Sequence, residues 1–358
     1  MTQEEIQIRT EPRPACPVCA SGGLSLYANM EDRLYGVPGR WAIRRCSSKD
    51  CGLLWLDPAP IEEDIPKTYR EYFTHGPARS AGVGARLQRW LYRIYPLLAA
   101  LPALPFGLCA EKRRLDNMCL CAVAPGRLLD VGCGDGRFLA QMVKQGWTGI
   151  GIEPDPAAVA VGLAAGLDVR LGDLASQGFA DDHFDAITCK HVIEHVRDPV
   201  GLLSECHRIL RPGGRLVVVT PNALGLGHAR FTADWRDLDP PRHLQVFAMD
   251  PLQVCARRAG FSQISCSTTA AHADLIANMS MRLQAARCAQ GSDHAVPRGI
   301  DPRQTLRAIL FQIHEHLALR YNRNAGEEIV LVGNKENASY DRAGGAIVLP
   351  RGQTRLLM

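Results

Sequence analysis

The chain has 358 residues, of which 46% are hydrophobic and 22% charged. This length is enough for one large domain, a small one and extensions. Its 41 basic and 37 acidic residues give a formal net charge of +4, too even a balance to indicate a polyanionic partner. The composition is typical of a soluble enzyme.

Four of the 13 cysteines stand in two pairs near the N terminus, Cys16 with Cys19 and Cys46 with Cys51. Each pair falls at a predicted turn, although the second is spaced two residues wider than usual. Four thiolates in two pairs suit tetrahedral zinc, which would be structural because no coordination position stays open. A disulfide and four unrelated buried cysteines are the alternatives. The chain starts without a secretion signal, which predicts a cytoplasmic location with reduced thiols and disfavours the disulfide.

An uncharged stretch from Ile94 to Ala110 follows, with arginine and lysine residues on both sides. At 1.5 Å per residue a helix here would reach only about 25 Å, and three prolines would interrupt it, so a membrane-spanning segment is not expected. We expect a helical hairpin that covers the mouth of a ligand site. Shallow contact with a membrane surface through residues 94–110 is the alternative.

The most informative motif runs from Leu128 to Gly136. An apolar run ends in Asp130, glycines follow at every second position, and an amphipathic segment begins at Arg137. This order predicts a strand, a tight turn without Cβ atoms and a helix. A dinucleotide-binding loop needs a glycine where Arg137 stands, so the pattern disfavours that class of ligand.

Two more predicted strands end in acidic residues. The strand Thr148–Glu153 ends in a carboxylate about 20 residues after the first glycine, where it can accept both hydroxyl donors of a ribose. A short third strand runs into Asp173 and Leu174. Taken singly, each acid could equally cap a helix or lie in a solvated loop.

The remaining pattern alternates apolar strands with helices, which predicts a parallel sheet covered on both faces. The predicted strands are 184–190, 210–220, 261–269 and 328–334, with a helix at 199–210 and a helical insertion over about 271–321.

Three histidines are candidates to contact a substrate. His191 and His195 follow the strand that ends at Lys190, at the carboxyl edge where ligands of open α/β sheets bind, and would share one face if that stretch is helical. His243 follows the next strand in a polar loop. A neutral imidazole is the side chain best matched to proton transfer near neutral pH. A structural role remains the alternative for each, and Glu194 could orient a neighbour or cap a helix.

These motifs resemble those of class I S-adenosylmethionine (SAM) methyltransferases, over about residues 125–335. The glycine loop behind Asp130, the His191-Val-Ile-Glu194-His195 segment and the Arg-Pro-Gly-Gly turn are similar to the group that includes ubiquinone-type O-methyltransferases and many sugar and secondary-metabolite enzymes. The N-terminal cysteine block is similar to a zinc-ribbon leader found ahead of many bacterial methyltransferases. The resemblance implies a Rossmann-like α/β fold, with a seven-stranded sheet and helices on both faces, behind a small zinc-ribbon-like domain.

The resemblance also implies roles for single residues. Glu153 would bind the ribose of SAM, Asp173 the adenine amino group, and Leu174 would lie beside the ring. The implied SAM-binding set is Asp130, Gly132, Cys133, Gly134, Gly136, Glu153, Asp173, Leu174 and Lys190, and the implied acceptor-side set is His243, His195 and His191. The predicted division is a zinc-ribbon-like domain at 1–75, an apolar helical linker at 76–120, a methyltransferase domain at 121–335 with a helical insertion at about 271–325, and a mobile tail at 336–358.

The function expected from this resemblance is methyl transfer from SAM to a small-molecule or carbohydrate acceptor, mainly on oxygen. A nucleotide- or lipid-linked acceptor fits the same expectation, the latter if residues 94–110 touch a membrane. An RNA methyltransferase with a zinc module is an alternative, disfavoured because no basic tract with interleaved aromatic residues is present. A non-catalytic regulator that binds SAM or zinc is the other alternative.

Overall fold

The computed structural model describes residues 7–69, 107–288 and 301–337. Most of the predicted 94–110 segment and the predicted tail from residue 338 onward lie outside the described residues. Among the helices that are described, none combines the length and the apolar character that crossing a membrane requires.

A seven-stranded sheet forms the centre of the molecule, which confirms the predicted seven-stranded α/β sheet. The strands are β6 (Arg127–Val131), β7 (Thr148–Glu153), β8 (Asp168–Leu171), β9 (Phe184–Lys190), β10 (Leu210–Pro221), β12 (Gln263–Thr269) and β13 (Glu328–Asn334). Their order in the sheet is β12-β13-β10-β9-β6-β7-β8.

One strand departs from the predicted parallel arrangement. The strands from β6 to β10 pair in parallel, whereas β13 runs antiparallel to both β10 and β12. The physical reason is the route of the chain. β12 ends at the carboxyl edge, and the helices that follow return the chain to β13 at that same edge, so β13 has to run back.

Helices cover both faces of the sheet. They are α1 (Leu108–Asp116), α2 (Arg137–Lys144), α3 (Pro156–Ala164), α4 (Pro199–Ile209), α5 (Leu226–Phe231), α6 (Met249–Arg258), α7 (Ala273–Cys288) and α8 (Pro302–Ala318). Alternate side chains of β10 enter opposite cores: Leu216 and Val218 lie in one apolar cluster, Val217 and Val219 in the other. Period-two alternation of this kind, apolar on both faces, is what a central strand requires.

The N-terminal region forms smaller sheets. They contain β1 (Thr10–Glu11), β2 (Gly23–Met30), β3 (Trp41–Cys46), β4 (Leu54–Leu56), β5 (Ala59–Pro60) and β11 (Gln245–Val246). β11 follows β10 in the chain yet pairs antiparallel with β4, which completes a four-stranded sheet of order β11-β4-β3-β2. A short 3₁₀ helix, Glu62–Tyr69, follows β5.

A buried ion cluster joins the two parts of the chain. The Arg242 guanidinium, which is 1% exposed, donates to both carboxylate oxygens of Asp32 at 2.7 and 2.9 Å and to those of Asp239 at 3.1 and 2.6 Å. Asp32 belongs to the N-terminal region and Asp239 to the loop after β10. Because a buried cation that loses its partners is strongly destabilising, these contacts fix one region against the other.

Candidate active site and candidate metal centre

The glycine loop lies between β6 and α2, as predicted. Gly132, Gly134 and Gly136 all have positive φ angles of 69°, 56° and 77°, which L side chains rarely adopt. A Cβ on Gly132 would lie 2.5 Å from Cγ2 of Val192, so the loop packs directly on the segment that follows β9. The loop therefore presents bare backbone at the carboxyl edge of the sheet.

Asp130 lies beneath this loop and is 4% exposed. The Thr188 hydroxyl on β9 donates to its carboxylate at 2.7 Å. Burial raises the pKa of Asp130 to about 7, although the Thr188 hydrogen bond acts in the opposite direction. An amine at the loop would meet a carboxyl group that ionises near neutral pH.

Glu153, at the end of β7, braces the loop from the neighbouring strand. One carboxylate oxygen accepts from the Gly134 amide at 2.9 Å, and the other accepts from the Asp155 amide at 3.1 Å. Each oxygen of an ionised carboxylate can accept more than one hydrogen bond. Glu153 can therefore hold the loop and still accept from a ribose.

The other predicted SAM-side residues lie around this edge in different environments. Asp173 is exposed, and its carboxylate accepts from the Ser176 amide at 2.8 Å, which is a capping contact. Leu174 and Cys133 are buried, and Lys190 is half-buried at the end of β9. The structure brings the carboxyl ends of β6 to β9 together but leaves Asp173 at the rim.

His191 does not share a helical face with His195, because residues 193–195 form a turn and His191 has a φ of 53°. Its two ring nitrogens lie 3.2 Å from the Glu194 carboxylate and 2.9 Å from that of Glu328. Burial lowers the pKa of His191, but these two carboxylates outweigh it and raise the pKa to about 10. His191 is therefore a half-buried cation.

The contacts around His191 extend to residues that the sequence patterns did not indicate as site residues. The second oxygen of Glu328 lies 3.0 Å from Nδ1 of His272, whose Nε2 lies 3.1 Å from Asp116. Carboxylates and imidazoles thus alternate along a row of contacts that runs from Glu194 through His191, Glu328 and His272 to Asp116. Glu328 is the first residue of the last predicted strand, and this position could have indicated a carboxylate at the edge of the sheet. His272 and Asp116 belong to no recognisable motif.

His195 and His243 form a pair of imidazoles in edge-to-face contact, with ring centroids 4.7 Å apart. Nδ1 of His243 donates to the carbonyl oxygen of Asp237 at 2.7 Å. Nδ1 of His195 lies 3.0 Å from the carbonyl oxygen of Arg242 and 2.9 Å from the Tyr69 hydroxyl, another contact that the sequence does not indicate. The predicted candidates therefore meet although 48 residues separate them.

Backbone contacts bring this pair together. The amides of Leu244 and Gln245 donate to the carbonyl oxygen of Glu194 at 2.9 and 3.3 Å, and the Gln245 side chain donates to the carbonyl oxygen of Val196 at 2.7 Å. Burial and the neighbouring His195 hold the pKa of His243 well below its usual value. His243 is therefore neutral at physiological pH, in contrast to His191.

Glu194 joins the imidazole pair to the ion network. It is fully buried, and its second oxygen accepts from the Thr220 hydroxyl at 3.0 Å. Burial raises the pKa of Glu194, but the hydrogen bond and charge of His191 outweigh it and lower the pKa to about 2. Of the two roles that the sequence left open, orientation of a neighbour fits this geometry, since residues 193–195 form a turn rather than a helix.

The four N-terminal cysteines meet in one cluster, with all four sulfur atoms within 4.8 Å of one another. The sulfur atoms of Cys16 and Cys51 are 3.8 Å apart, and those of Cys19 and Cys46 are 3.4 Å apart, with no disulfide between them. Two thiolates about 2.3 Å from one tetrahedral ion stand about 3.8 Å apart, so the cluster fits structural zinc. The predicted disulfide alternative is not observed.

The comparison with protein families matches this geometry. Residues 108–265 fit the model of a methyltransferase domain. The chain therefore carries a methyltransferase domain over these residues. This methyltransferase domain includes the glycine loop, Asp130, Glu153 and all three predicted histidines. The small cysteine-rich region stands outside the matched residues.

Relatives of known name match part of the chain. The chain is 34% identical over 108 residues to a ubiquinone biosynthesis O-methyltransferase of Pseudomonas entomophila, which is 28% of this chain and 47% of that protein. A protein of the same name from Alkalilimnicola ehrlichii is 35% identical over 160 residues, or 38% of this chain and 65% of that one. The chain thus spans about half to two thirds of the length of these relatives.

Among solved structures, a SAM-dependent methyltransferase from Archaeoglobus fulgidus is 17% identical, with a TM-score of 0.43. The match covers 64% of this chain and 94% of that one.

Proposed function

We propose that the protein transfers the methyl group of SAM to a hydroxyl of a small-molecule or carbohydrate acceptor. The observation that supports this is the juxtaposition at one edge of the sheet. The glycine loop with Asp130 and Glu153 lies directly beside the turn that carries Glu194 and His195, and His195 contacts His243 from the loop after β10.

SAM would occupy the cofactor side of this edge. Its methionine tail would lie on the glycine backbone, with its ammonium group near Asp130, and Glu153 would accept from the ribose hydroxyls. Asp173 and Leu174 would border the adenine, with Lys190 and Cys133 near the tail. The sulfonium supplies an activated methyl group, so the protein has to orient the acceptor and exclude water.

The acceptor would lie against the imidazole pair. His243 is buried and neutral, and its Nε2 lies 4.0 Å from the Asp239 carboxylate, beyond hydrogen-bond distance. No hydrogen bond to this nitrogen, or to Nε2 of His195, is found among the described residues. Either nitrogen can accept the proton that an acceptor hydroxyl loses when it is methylated. His191 is already protonated between Glu194 and Glu328, so we assign it the role of holding those carboxylates rather than of a base.

Names of relatives support an oxygen acceptor, since both are called O-methyltransferases. The N-terminal region reaches the acceptor side through the Tyr69 hydroxyl, and helix α7 reaches it through the Ser280 hydroxyl, which accepts from the Arg236 amide at 3.0 Å. Both elements lie outside the matched residues 108–265, so we assign them the choice of acceptor. A salt-sensitive gel shift with RNA would instead favour the RNA alternative, and SAM binding without transfer to any acceptor would favour the regulator.

The test is incubation of the purified protein with methyl-labelled SAM and fractionated cell extract, comparing wild type with His243→Ala. We expect one small-molecule or glycan fraction to take up label with wild type, and the variant to lose about 10²–10⁴-fold in turnover. Calorimetry should show nearly unchanged affinity of the variant for SAM. Equal losses of turnover and affinity would assign His243 a structural role, and the absence of labelled product from every fraction would contradict the proposed function.

A further inference from the structure

We propose that the Tyr69 hydroxyl positions His195 for proton transfer, so that the N-terminal region supplies part of the acceptor site. This inference rests on the proposed function. The hydroxyl lies 2.9 Å from Nδ1 of His195, and the two rings meet edge to face with centroids 5.9 Å apart. The carbonyl oxygen of Arg242 lies 3.0 Å from the same nitrogen. Two oxygens from distant parts of the chain therefore face one ring nitrogen.

These contacts determine the tautomer of His195. A carbonyl oxygen can only accept a hydrogen bond, so Nδ1 carries the proton and donates to the Arg242 carbonyl and to the Tyr69 oxygen. Nε2 then keeps its lone pair and can act as a base. A base whose second nitrogen is held in this way has a fixed ring orientation. The same two oxygens also stabilise the positive charge that the ring gains when Nε2 takes up a proton.

The acceptor proton has a defined route in this arrangement. A lone pair of the acceptor hydroxyl attacks the methyl carbon of SAM, and the electron pair of the broken carbon–sulfur bond stays on sulfur. The hydroxyl proton moves to Nε2 of His195. The products are the O-methylated acceptor, S-adenosylhomocysteine and an imidazolium. Because His195 is half-buried, its ring can return this proton to water once the products leave.

Tyr69 is itself held by the buried ion cluster. It is the last residue of the 3₁₀ helix Glu62–Tyr69, and the carbonyl oxygen of Thr68, one residue earlier, accepts from the Arg242 guanidinium at 3.3 Å. Arg242 therefore contacts this helix through its side chain and His195 through its carbonyl oxygen. The position of the Tyr69 hydroxyl relative to the imidazole is fixed by one buried residue.

A second tyrosine of the N-terminal region contacts a histidine in a different way. The Tyr27 hydroxyl lies 2.9 Å from Nε2 of His228, whose Nδ1 lies 2.7 Å from the carbonyl oxygen of Ala223. Both ring nitrogens of His228 are therefore used within the protein. At His195 the two oxygens share Nδ1, and no hydrogen bond to Nε2 is found in the part of the chain that the structure describes. Of these two histidines, His195 keeps a nitrogen for a substrate.

The test compares Tyr69→Phe with Tyr27→Phe in the full-length protein. Each change removes a hydroxyl from a histidine and keeps the aromatic ring. Methyl-labelled SAM and the extract fraction that the wild type labels are the substrates. We expect Tyr69→Phe to lose about 3- to 10-fold in kcat, which corresponds to one neutral hydrogen bond, with an unchanged KM for SAM. Tyr27→Phe should match wild type in both. A wild-type kcat in Tyr69→Phe, or equal losses in the two variants, would overturn the positioning role.

Nitrogen-15 NMR of the histidine side chains provides a readout that needs no acceptor, with His195→Gln to assign the signals. We expect His195 to be protonated at Nδ1 in wild type, and we expect Tyr69→Phe, but not Tyr27→Phe, to shift this signal. Protonation at Nε2 in wild type would overturn the proposed contact. Label uptake by wild type with an unshifted His195 signal in Tyr69→Phe would mean that the positioning role is wrong and the proposed function right. The expected shift without label uptake in any fraction would mean that the contact is right and the proposed function wrong.

Discussion

Asp130 and Glu153 end neighbouring strands yet lie in different electrostatic surroundings. Asp130 is buried and has one hydroxyl donor, whereas Glu153 accepts from two backbone amides. Charged hydrogen bonds to amides stabilise an ionised carboxylate, and burial without such donors disfavours it. Two acids with the same sequence context are therefore expected to respond differently to substitution.

For Asp130 we predict a pH-dependent effect on stability. Its pKa is about 7 in the folded protein, above the ordinary value of 3.8, so its contribution to stability is fully present below about pH 4 and is lost as the pH rises to about 7. The side chain in Asp130→Asn does not ionise, so the variant does not lose stability in this way as the pH rises. In thermal unfolding without ligand, the melting temperature of the variant relative to wild type should rise between pH 4.5 and 7.5 and then level off. A difference in melting temperature that is constant across this range would show that the pKa of Asp130 is not raised.

For Glu153 we predict an effect on the cofactor. Glu153→Gln replaces a charged acceptor by a neutral one, and a hydrogen bond to a charged group contributes about 1.5–3 kcal/mol, so the affinity for S-adenosylhomocysteine should fall about 10- to 100-fold in calorimetry. Asp168→Asn makes the same charge change at the start of β8, on the opposite edge of the sheet, and is expected to bind normally. Equal affinity in the two variants would contradict the ribose assignment.

At the scale of elements, the site is a set of strand ends with the turns that follow them. The glycine loop and the turn at residues 193–195 meet because parallel strands end at one edge. β13 runs antiparallel and therefore starts at that same edge. Gly132 packs so closely on Val192 that the loop and the histidine-bearing turn form one unit. A change in one is expected to disturb the other.

Gly132→Ala tests this coupling against Gly166→Ala. Both glycines have positive φ angles, 69° and 78°, so alanine costs each about 1–2 kcal/mol of backbone strain. Only at Gly132 would the new Cβ also meet a side chain, at 2.5 Å, whereas at Gly166 nothing lies within 4 Å. We expect Gly132→Ala to lose at least 10-fold in affinity for S-adenosylhomocysteine and Gly166→Ala to lose stability alone. The coupling is wrong if both variants bind like wild type.

At the scale of the whole molecule, the cysteine-rich region and the sheet share one interior. Cys46, Cys51 and Leu53 belong to the same apolar cluster as Ile187 and Val218 of the central strands. β11 completes the N-terminal sheet, and the buried Arg242 binds carboxylates of both regions. The predicted boundary at residue 75 lies outside the described residues, and the described parts of the two regions share this interior.

We predict that loss of the metal destabilises the catalytic region as well. Cys46→Ser removes one of four thiolates and should lower both the bound zinc and the melting temperature of the whole protein, in a single transition. Cys121→Ser changes an exposed cysteine outside the cluster and should leave both quantities unaltered. Two separate transitions, of which only one responds to Cys46→Ser, would show that the regions unfold independently.

The sequence by itself determined the sheet, the glycine loop and the cysteine cluster, because each depends on local spacing and on residue types that only a few structures tolerate. It also indicated the three histidines as residues after strand ends. Only the tertiary structure decided their chemistry. His191 is charged because the carboxylates of Glu194 and of Glu328, the latter 137 residues away, lie against it. His243 is neutral because it is buried beside His195. The protonation state of a histidine depends on the groups that folding brings close to it, and the sequence alone does not give those distances.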